Sequence, residues 1–264
     1  MQSGAGSLTT FQNTLLSHLP VDSIERLQLV KIELPLKREI EFPGDEIRYL
    51  FFLEAGAASM TTTFHDGKQV EVALCGSEAV LGASFLMGTR RSLNRVYMQI
   101  AGYGYRTKSA VAADEFKLHG EFHRLILRHN QTQFIQSAQT AGCNARHPIQ
   151  QRLARWLLLC DDRVQGGPIR LAQESIADML GSRRTSVSIE AGKLQKSGLI
   201  SYKRGKILIT DRRGLEAAAC ECYAAVRNDA QRYADDNWDL ERPIPRTATR
   251  GAKGEPALNR RNCE

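Results

Sequence analysis

The sequence predicts an α+β protein: an N-terminal antiparallel β roll, then a long helix, then a C-terminal winged helix-turn-helix. Three observations lead there. Between Lys31 and Gly82, short apolar or alternating runs are punctuated by glycine turns, the pattern of an antiparallel roll or barrel. From about Asp114 to Gly142, apolar residues recur at helical spacing. From Leu171 to Ile200, two short helical patterns flank Gly181, and an alternating basic hairpin follows.

At the start, Leu8 to Leu29 reads as two short helices separated by Pro20, with Asp22 or Ser23 as N-cap of the second. Ile32, Leu34 and Leu36 then alternate with Lys31, Glu33 and Lys37, a half-buried strand. Tyr49 to Leu53 is an apolar run and Gln69 to Leu74 alternates. Turn signals stand at Pro43-Gly44-Asp45, Glu54-Ala55-Gly56, His65-Asp66-Gly67 and Gly76. In the helical stretch, Phe116, Phe122, Leu125, Ile126, His129, Gln133 and Gln136 mark one side, and a helix of that length is about 40 Å long. Gly142 to Pro148 is read as a hinge. Pro148 suits a first helical turn, and Ile149 to Asp161 follows with Leu153, Trp156, Leu157 and Cys160 inward.

Within the helix-turn-helix, Ile176, Ala177 and Leu180 line one face of the first helix, and Gly181 closes it in the left-handed conformation. Arg184 to Ser197 forms the second helix, with Val187, Ala191 and Leu194 inward and Gly198 as its stop. Ser201 to Thr210 is a hairpin turning at Lys203-Arg204-Gly205-Lys206, which reads as a wing. Asp211 caps a last helix, from near Arg212 past Tyr223 toward Trp238. After Asp239, prolines, glycines and mixed charges cannot build a core.

Charge follows the same division. The chain has 264 residues and a net charge of +7. Residues 1–145 balance to 0, residues 146–213 to +8 and residues 214–264 to −1. The positive excess sits with the helix-turn-helix, as a phosphate-binding surface requires.

The stretch IADMLGSRRTSVS, with KLQKSGLI, YKRGKI and DRRGLE after it, resembles the DNA-binding domain of the Crp/Fnr family of bacterial transcription regulators. The likeness extends upstream and covers about Leu15 to Arg227. It implies that the roll is a jelly roll of the cyclic-nucleotide-binding kind and that the long helix is a dimer interface. It implies double-stranded DNA with an inverted-repeat site, a second copy of the chain and RNA polymerase as partners. The division expected is 1–113 for the helices and sensor roll, 114–145 for the dimerisation helix and hinge, 146–238 for the winged helix-turn-helix and 239–264 for a disordered tail.

The DNA-facing residues follow. Arg184, Thr185, Ser188 and Ile189 lie near the N-terminal end of the second helix, the part that reaches base edges. Arg184 could pair bidentately with a guanine. Ser186 suits a phosphate, and Arg183, Lys193, Lys203, Arg204 and Lys206 are backbone clamps. Two residues depart from the family pattern. Ile189 replaces a common arginine and favours a thymine methyl. Glu190 takes an apolar position, so either the helix is rotated or the carboxylate pairs with an arginine.

The effector cassette departs further. In cyclic-nucleotide-binding relatives a Gly-Glu pair receives the ribose and an Arg-Ser pair the phosphate; here the first pair is Gly82-Ala83. Gly82, Arg91 and Ser92 are the candidate effector residues, with Arg90 competing for the arginine role. A signal other than cyclic AMP is expected; the rival is a cyclic-nucleotide-dependent regulator.

Other classes have little support. The sequence shows no hydrolase, zincin, Walker or Rossmann motif, so an enzyme is not expected. No apolar run approaches the ~20 residues of a membrane span, and a cytoplasmic protein without membrane attachment is expected. Cys75, Cys143, Cys160, Cys220, Cys222 and Cys263 are scattered, Cys220-x-Cys222 is too closely spaced for the usual zinc motif, and no cysteine precedes Cys75 for an iron–sulfur centre. His119, His123 and His129 have no supporting ligand in sequence, so neither metal nor cofactor is expected.

Overall fold

The computed structural model describes residues 10–164, 167–171 and 173–234. Helices α1 (Thr14–Ser17) and α2 (Val21–Arg26) precede a six-stranded antiparallel roll: β1 (Val30–Leu34), β2 (Glu39–Glu41), β3 (Tyr49–Thr63), β4 (Gln69–Cys75), β5 (Val80–Leu81) and β6 (Arg95–Lys108). The sheet runs β1-β6-β3-β4, with β2 on β6 and β5 on β3. Then come α3 (Ser109–Phe116), α4 (Glu121–Arg146) and α5 (Ile149–Val164). The remaining elements are β7 (Ile169–Arg170), α6 (Gln173–Met179), α7 (Arg184–Lys196), β8 (Ile200–Lys203), β9 (Lys206–Ile209), α8 (Arg212–Ala218) and α9 (Cys222–Ala234).

The apolar run on β3 is explained by burial of both its faces. Phe51 and Leu53 point into the roll with Leu34, Val96 and Met98. Leu50 and Phe52, one residue out of step, pack outside against Leu15, Phe122, Leu125 and Ile126. Strand β3 also runs through the turn expected at Glu54-Ala55-Gly56. The register shifts between Leu53 and Ala57, and Gly56 sits at φ +86, so the glycine marks a β-bulge within the strand. Opposite it, a Cβ on Gly102 would stand 1.9 Å from the Ala55 carbonyl oxygen, so the close approach requires glycine.

Four other expectations change. Pro20, not Asp22 or Ser23, is the N-cap of α2; Ser23 instead donates to Glu115 at 2.7 Å, and Arg26 pairs with the same carboxylate. The helix expected from Asp114 to Gly142 is two, because His119 takes φ +55 and turns the chain between α3 and α4. The hinge expected from Gly142 to Pro148 narrows to its end: α4 continues to Arg146, and only His147, held extended, and Pro148 separate it from α5. The last helix breaks at Ala219, whose extended backbone turns Cys220 and Cys222 inward. The end of that helix near Trp238 and the tail from Asp239 lie outside the described residues.

Helix α5 is the centre of the molecule. All eight residues from Leu153 to Cys160 are buried, because the helix is covered by the winged unit on one side and the roll on the other. Ala57 and Leu74 of the roll belong to the same core as Trp156, Leu157, Ile176, Val187 and Leu194. At that boundary Glu71 of β4 accepts from Ser59 Oγ (2.5 Å) and Trp156 Nε1 (2.8 Å). Burial lifts its carboxyl to about 7 against those two bonds and the charges of Arg155 and Arg163.

Candidate DNA-binding site

Helix α6 ends as its sequence requires. Gly181 takes φ +55, and the Ser182 amide donates back to the Ala177 carbonyl at 2.9 Å. Arg152 of α5 donates to the Leu180 carbonyl, adding positive charge at the helix C-terminus. Val187, Ala191 and Leu194 of α7 are buried at helical spacing, which fixes the opposite face outward. Arg183, Arg184 and Thr185 are exposed there, and Ile189 is 59% exposed.

Not every candidate is free. Ser188 is half-buried and donates to Gln173 Oε1 at 2.6 Å, so its hydroxyl also holds α6 to α7. Ser186 is half-buried in an open cleft of about 1060 Å³ whose far wall is the β3–β4 hairpin from Phe64 to Val70. Glu190 pairs with Lys193 at 2.9 Å, so its partner is a lysine on the same helix and not an arginine. Its Oε1 is thereby satisfied while Oε2 is buried without a partner among the described residues. Lys193 is correspondingly less available as a clamp.

The wing forms as expected. Strands β8 and β9 pair in register from Ile200–Ile209 to Lys203–Lys206, and Arg204 and Gly205 both take positive φ in the two-residue turn. Lys203, Arg204 and Lys206 are exposed. Strand β7 adds Arg170, paired in register with Lys206, a further exposed cation that the sequence reading did not single out. Tyr202 Oη donates to the Leu171 carbonyl (3.1 Å) and holds the wing to the start of the unit. Burial pushes the Tyr202 phenol up, and the Arg184 charge draws it partly back.

The effector candidates converge only in part. The Gly82 amide and Ser92 hydroxyl both donate to one carboxylate, Glu41, at 2.9 and 2.6 Å. Burial pushes the Glu41 carboxyl up, against those two bonds. Arg91 turns away and donates to the Gly44 carbonyl at 2.6 Å on the surface. Elsewhere, Cys143, His147, Cys220 and Cys222 bring four ligand atoms within 4.8 Å of one another, a group that could hold a metal ion. Sequence spacing could not show it, because α4 and the α8–α9 junction supply two ligands each.

The comparisons with known proteins agree with this geometry. A Crp-like helix-turn-helix domain is matched over residues 151–218. The chain is 28% identical over 182 residues to the global nitrogen regulator of Synechocystis, covering 65% of this chain and 80% of that protein. Its fold is similar to a Crp/Fnr-family regulator from Eubacterium rectale (TM-score 0.63, 18% identity, 77% of this chain and 96% of that one). It is likewise similar to FixK2 of Bradyrhizobium japonicum (TM-score 0.62, 18% identity, 73% and 98%). The matched domain, the relatives and the exposed basic face of α7 and the wing support a DNA-binding transcription regulator of the Crp/Fnr type, and the solved structures share its fold.

Proposed function

We propose that two copies of this chain, joined along α4, read an inverted-repeat DNA site and respond to a signal other than cyclic AMP. The carrying observation is the exposed N-terminal face of α7, with Arg184, Thr185 and Ile189, beside the exposed cations of the wing. In this reading Arg184 contacts a base, Ile189 a thymine methyl, and Arg183, Ser186, Lys203, Arg204 and Lys206 the backbone. Ser188 and Lys193 contribute less, since each already has a partner. Residues 10–113, 114–145 and 146–234 act as sensor, dimerising helix and DNA reader, in the cytoplasm, with RNA polymerase as the further partner and no catalytic role.

The seam we propose is not the side of α4 that carries Leu125 and Ile126. Leu125 and Ile126 are buried against their own roll, so they cannot face a partner. The exposed row on α4 is Leu127, Gln131, Phe134, Ala138, Ala141 and Ala145, spaced alternately by four and three. That is the repeat of a helix pair, and Phe134 is 70% exposed at its centre. Against cyclic AMP stand Ala83, which offers no carboxylate to a ribose, and Glu41, which occupies the donors a phosphate would use. Calorimetry with cyclic AMP giving a micromolar or tighter site would overturn this part.

Selection from a random DNA pool tests the reading directly. A two-fold dimer should enrich an inverted repeat with half-sites about one helical turn, ~34 Å, apart. Arg184→Ala should relax one position of the motif and cost roughly 1–3 kcal/mol. Lys203→Ala or Lys206→Ala should weaken all sequences alike and lower the salt slope by about one charge. An asymmetric motif would refute the dimer, and an unchanged profile with Arg184→Ala would make that residue a phosphate clamp.

A further inference from the structure

Cys143 lies in the last turn of α4, and the C-cap His147, whose amide donates to the Cys143 carbonyl, follows one turn later on the same face. The break between α8 and α9 turns Cys220 and Cys222 toward that face, which a continuous helix could not do, since residues two apart point nearly opposite ways. Cys143 Sγ stands 3.6 Å from Cys220 Sγ, and Cys222 Sγ stands 3.5 Å from His147 Nδ1.

These separations match the edges of a tetrahedron. Zinc bonds of about 2.3 Å to sulfur and about 2.0 Å to nitrogen place ligands roughly 3.8 Å apart for two sulfurs and roughly 3.6 Å for sulfur and nitrogen. A disulfide would require sulfurs at about 2.05 Å, and a multi-iron cluster would hold its ligands farther apart than this group does. The surroundings fit an ion as well. His147 turns its other nitrogen, Nε2, to Glu221 Oε1 at 3.2 Å, the outer carboxylate that orients a ligating imidazole. Gln139 Nε2 donates to Cys222 Sγ at 2.9 Å, a contact suited to a thiolate. Arg152 and Arg155 of α5 set positive charge near Cys143, which offsets the net negative charge of three thiolates, one neutral imidazole and a divalent ion. The three cysteines are buried and His147 is only partly so, which leaves an entry path along the imidazole.

We propose that Cys143, His147, Cys220 and Cys222 form a closed zinc site that fastens the C-terminal end of α4 to the start of α9. Three thiols each release a proton to solvent and donate a sulfur lone pair, and His147 binds neutral through Nδ1. Soft sulfur ligands select zinc over magnesium or calcium. Four protein ligands leave no open position, so the ion is structural.

Elemental analysis of the full chain, purified under reductant without chelator, tests this, with Zn²⁺ and Co²⁺ as probes. The wild type should hold about one equivalent of zinc per chain. Its cobalt form should show the intense visible bands of tetrahedral coordination and a thiolate-to-cobalt charge-transfer band. Cys222→Ser and His147→Ala should each lose the metal or weaken its retention at least about tenfold, while Cys263→Ser keeps it. A wild type that takes up no zinc when reduced, or a weak octahedral cobalt spectrum, overturns the proposal. So does equal retention by wild type and Cys222→Ser. The cobalt spectrum needs only the wild type, so it decides the matter even if a variant does not fold. None of these readouts involves DNA, so the site stands or falls apart from the reading of α7.

Discussion

Acidification should weaken this fold through one histidine. His129 of α4 is buried, with Nε2 at 3.0 Å from the Val80 carbonyl oxygen and 3.4 Å from the Val80 amide nitrogen. Burial pulls its pKa from 6.5 down to about 4, although the Val80 bond and the charge of Glu78 act in the other direction. Above 6.5 the folded and unfolded chains both hold it neutral, and it contributes nothing to pH dependence. Between about 6.5 and about 4 only the unfolded chain gains the proton, so stability falls by about 1.4 kcal/mol per pH unit, roughly 3 kcal/mol in all. Below about 4 both states are protonated and the loss levels off. Glu71 acts oppositely: its carboxyl, lifted to about 7, keeps a proton in the folded chain that the unfolded chain releases above 4.5. Acidification through that window therefore adds stability of similar size and masks the histidine in the wild-type profile. Comparison with His129→Gln, which can still donate to Val80 but does not titrate, isolates the histidine. Urea unfolding of both proteins at about pH 7 and about pH 4.5 should show the variant gaining about 2–3 kcal/mol relative to wild type at the lower pH. A gap independent of pH would refute the reasoning.

Further outcomes follow from other contacts. Trp156→Phe removes the donor that reaches Glu71 across the boundary of roll and winged unit; chemical denaturation should register a loss of about 1–3 kcal/mol, and a change within measurement error would show that the bond contributes little. Phe134→Glu puts a charge in the exposed row of α4 and should shift the sedimentation equilibrium toward monomer, whereas a dimer of unchanged strength would place the interface elsewhere. Gly181→Ala forces a left-handed alanine whose Cβ would meet Val70 Cγ2 at 3.0 Å; a stability loss of about 1–2 kcal/mol is expected, and no loss would mean that the turn rearranges freely.

Much of this was legible in the sequence where period and turn chemistry are local. The two helices about Gly181, the wing with its Arg204-Gly205 turn, the Asp211 cap and the inward face of α5 follow from spacing alone. Long-range packing was not legible. Leu125 and Ile126 are apolar at helical spacing, which says that they are buried but not against what; the roll of the same chain covers them. Gly56 carries the turn signal, yet the neighbouring strand continues its pairing and makes the residue a bulge. Glu190 was expected to pair with an arginine if the helix is not rotated, and the i,i+3 spacing of the helix supplies Lys193 instead. Cys143 and Cys220 are 77 residues apart, so only the tertiary structure brings them within 3.6 Å.

The continuous core around α5 bears on how a signal travels. Ala57 and Leu74 of the roll are packed into the same interior as Trp156 and Leu157, so the two halves share one core. Separating them would expose apolar surface worth about 25 cal/mol per Å² and strand the Glu71 carboxyl without Trp156. The described chain should therefore melt in one cooperative transition rather than two, and a fragment cut near Pro148 should be sticky and marginally stable. An effector acting on the roll would then alter the DNA-reading face by repacking a common interior, with α5 as the moving part, and not by freeing a module on a loose tether.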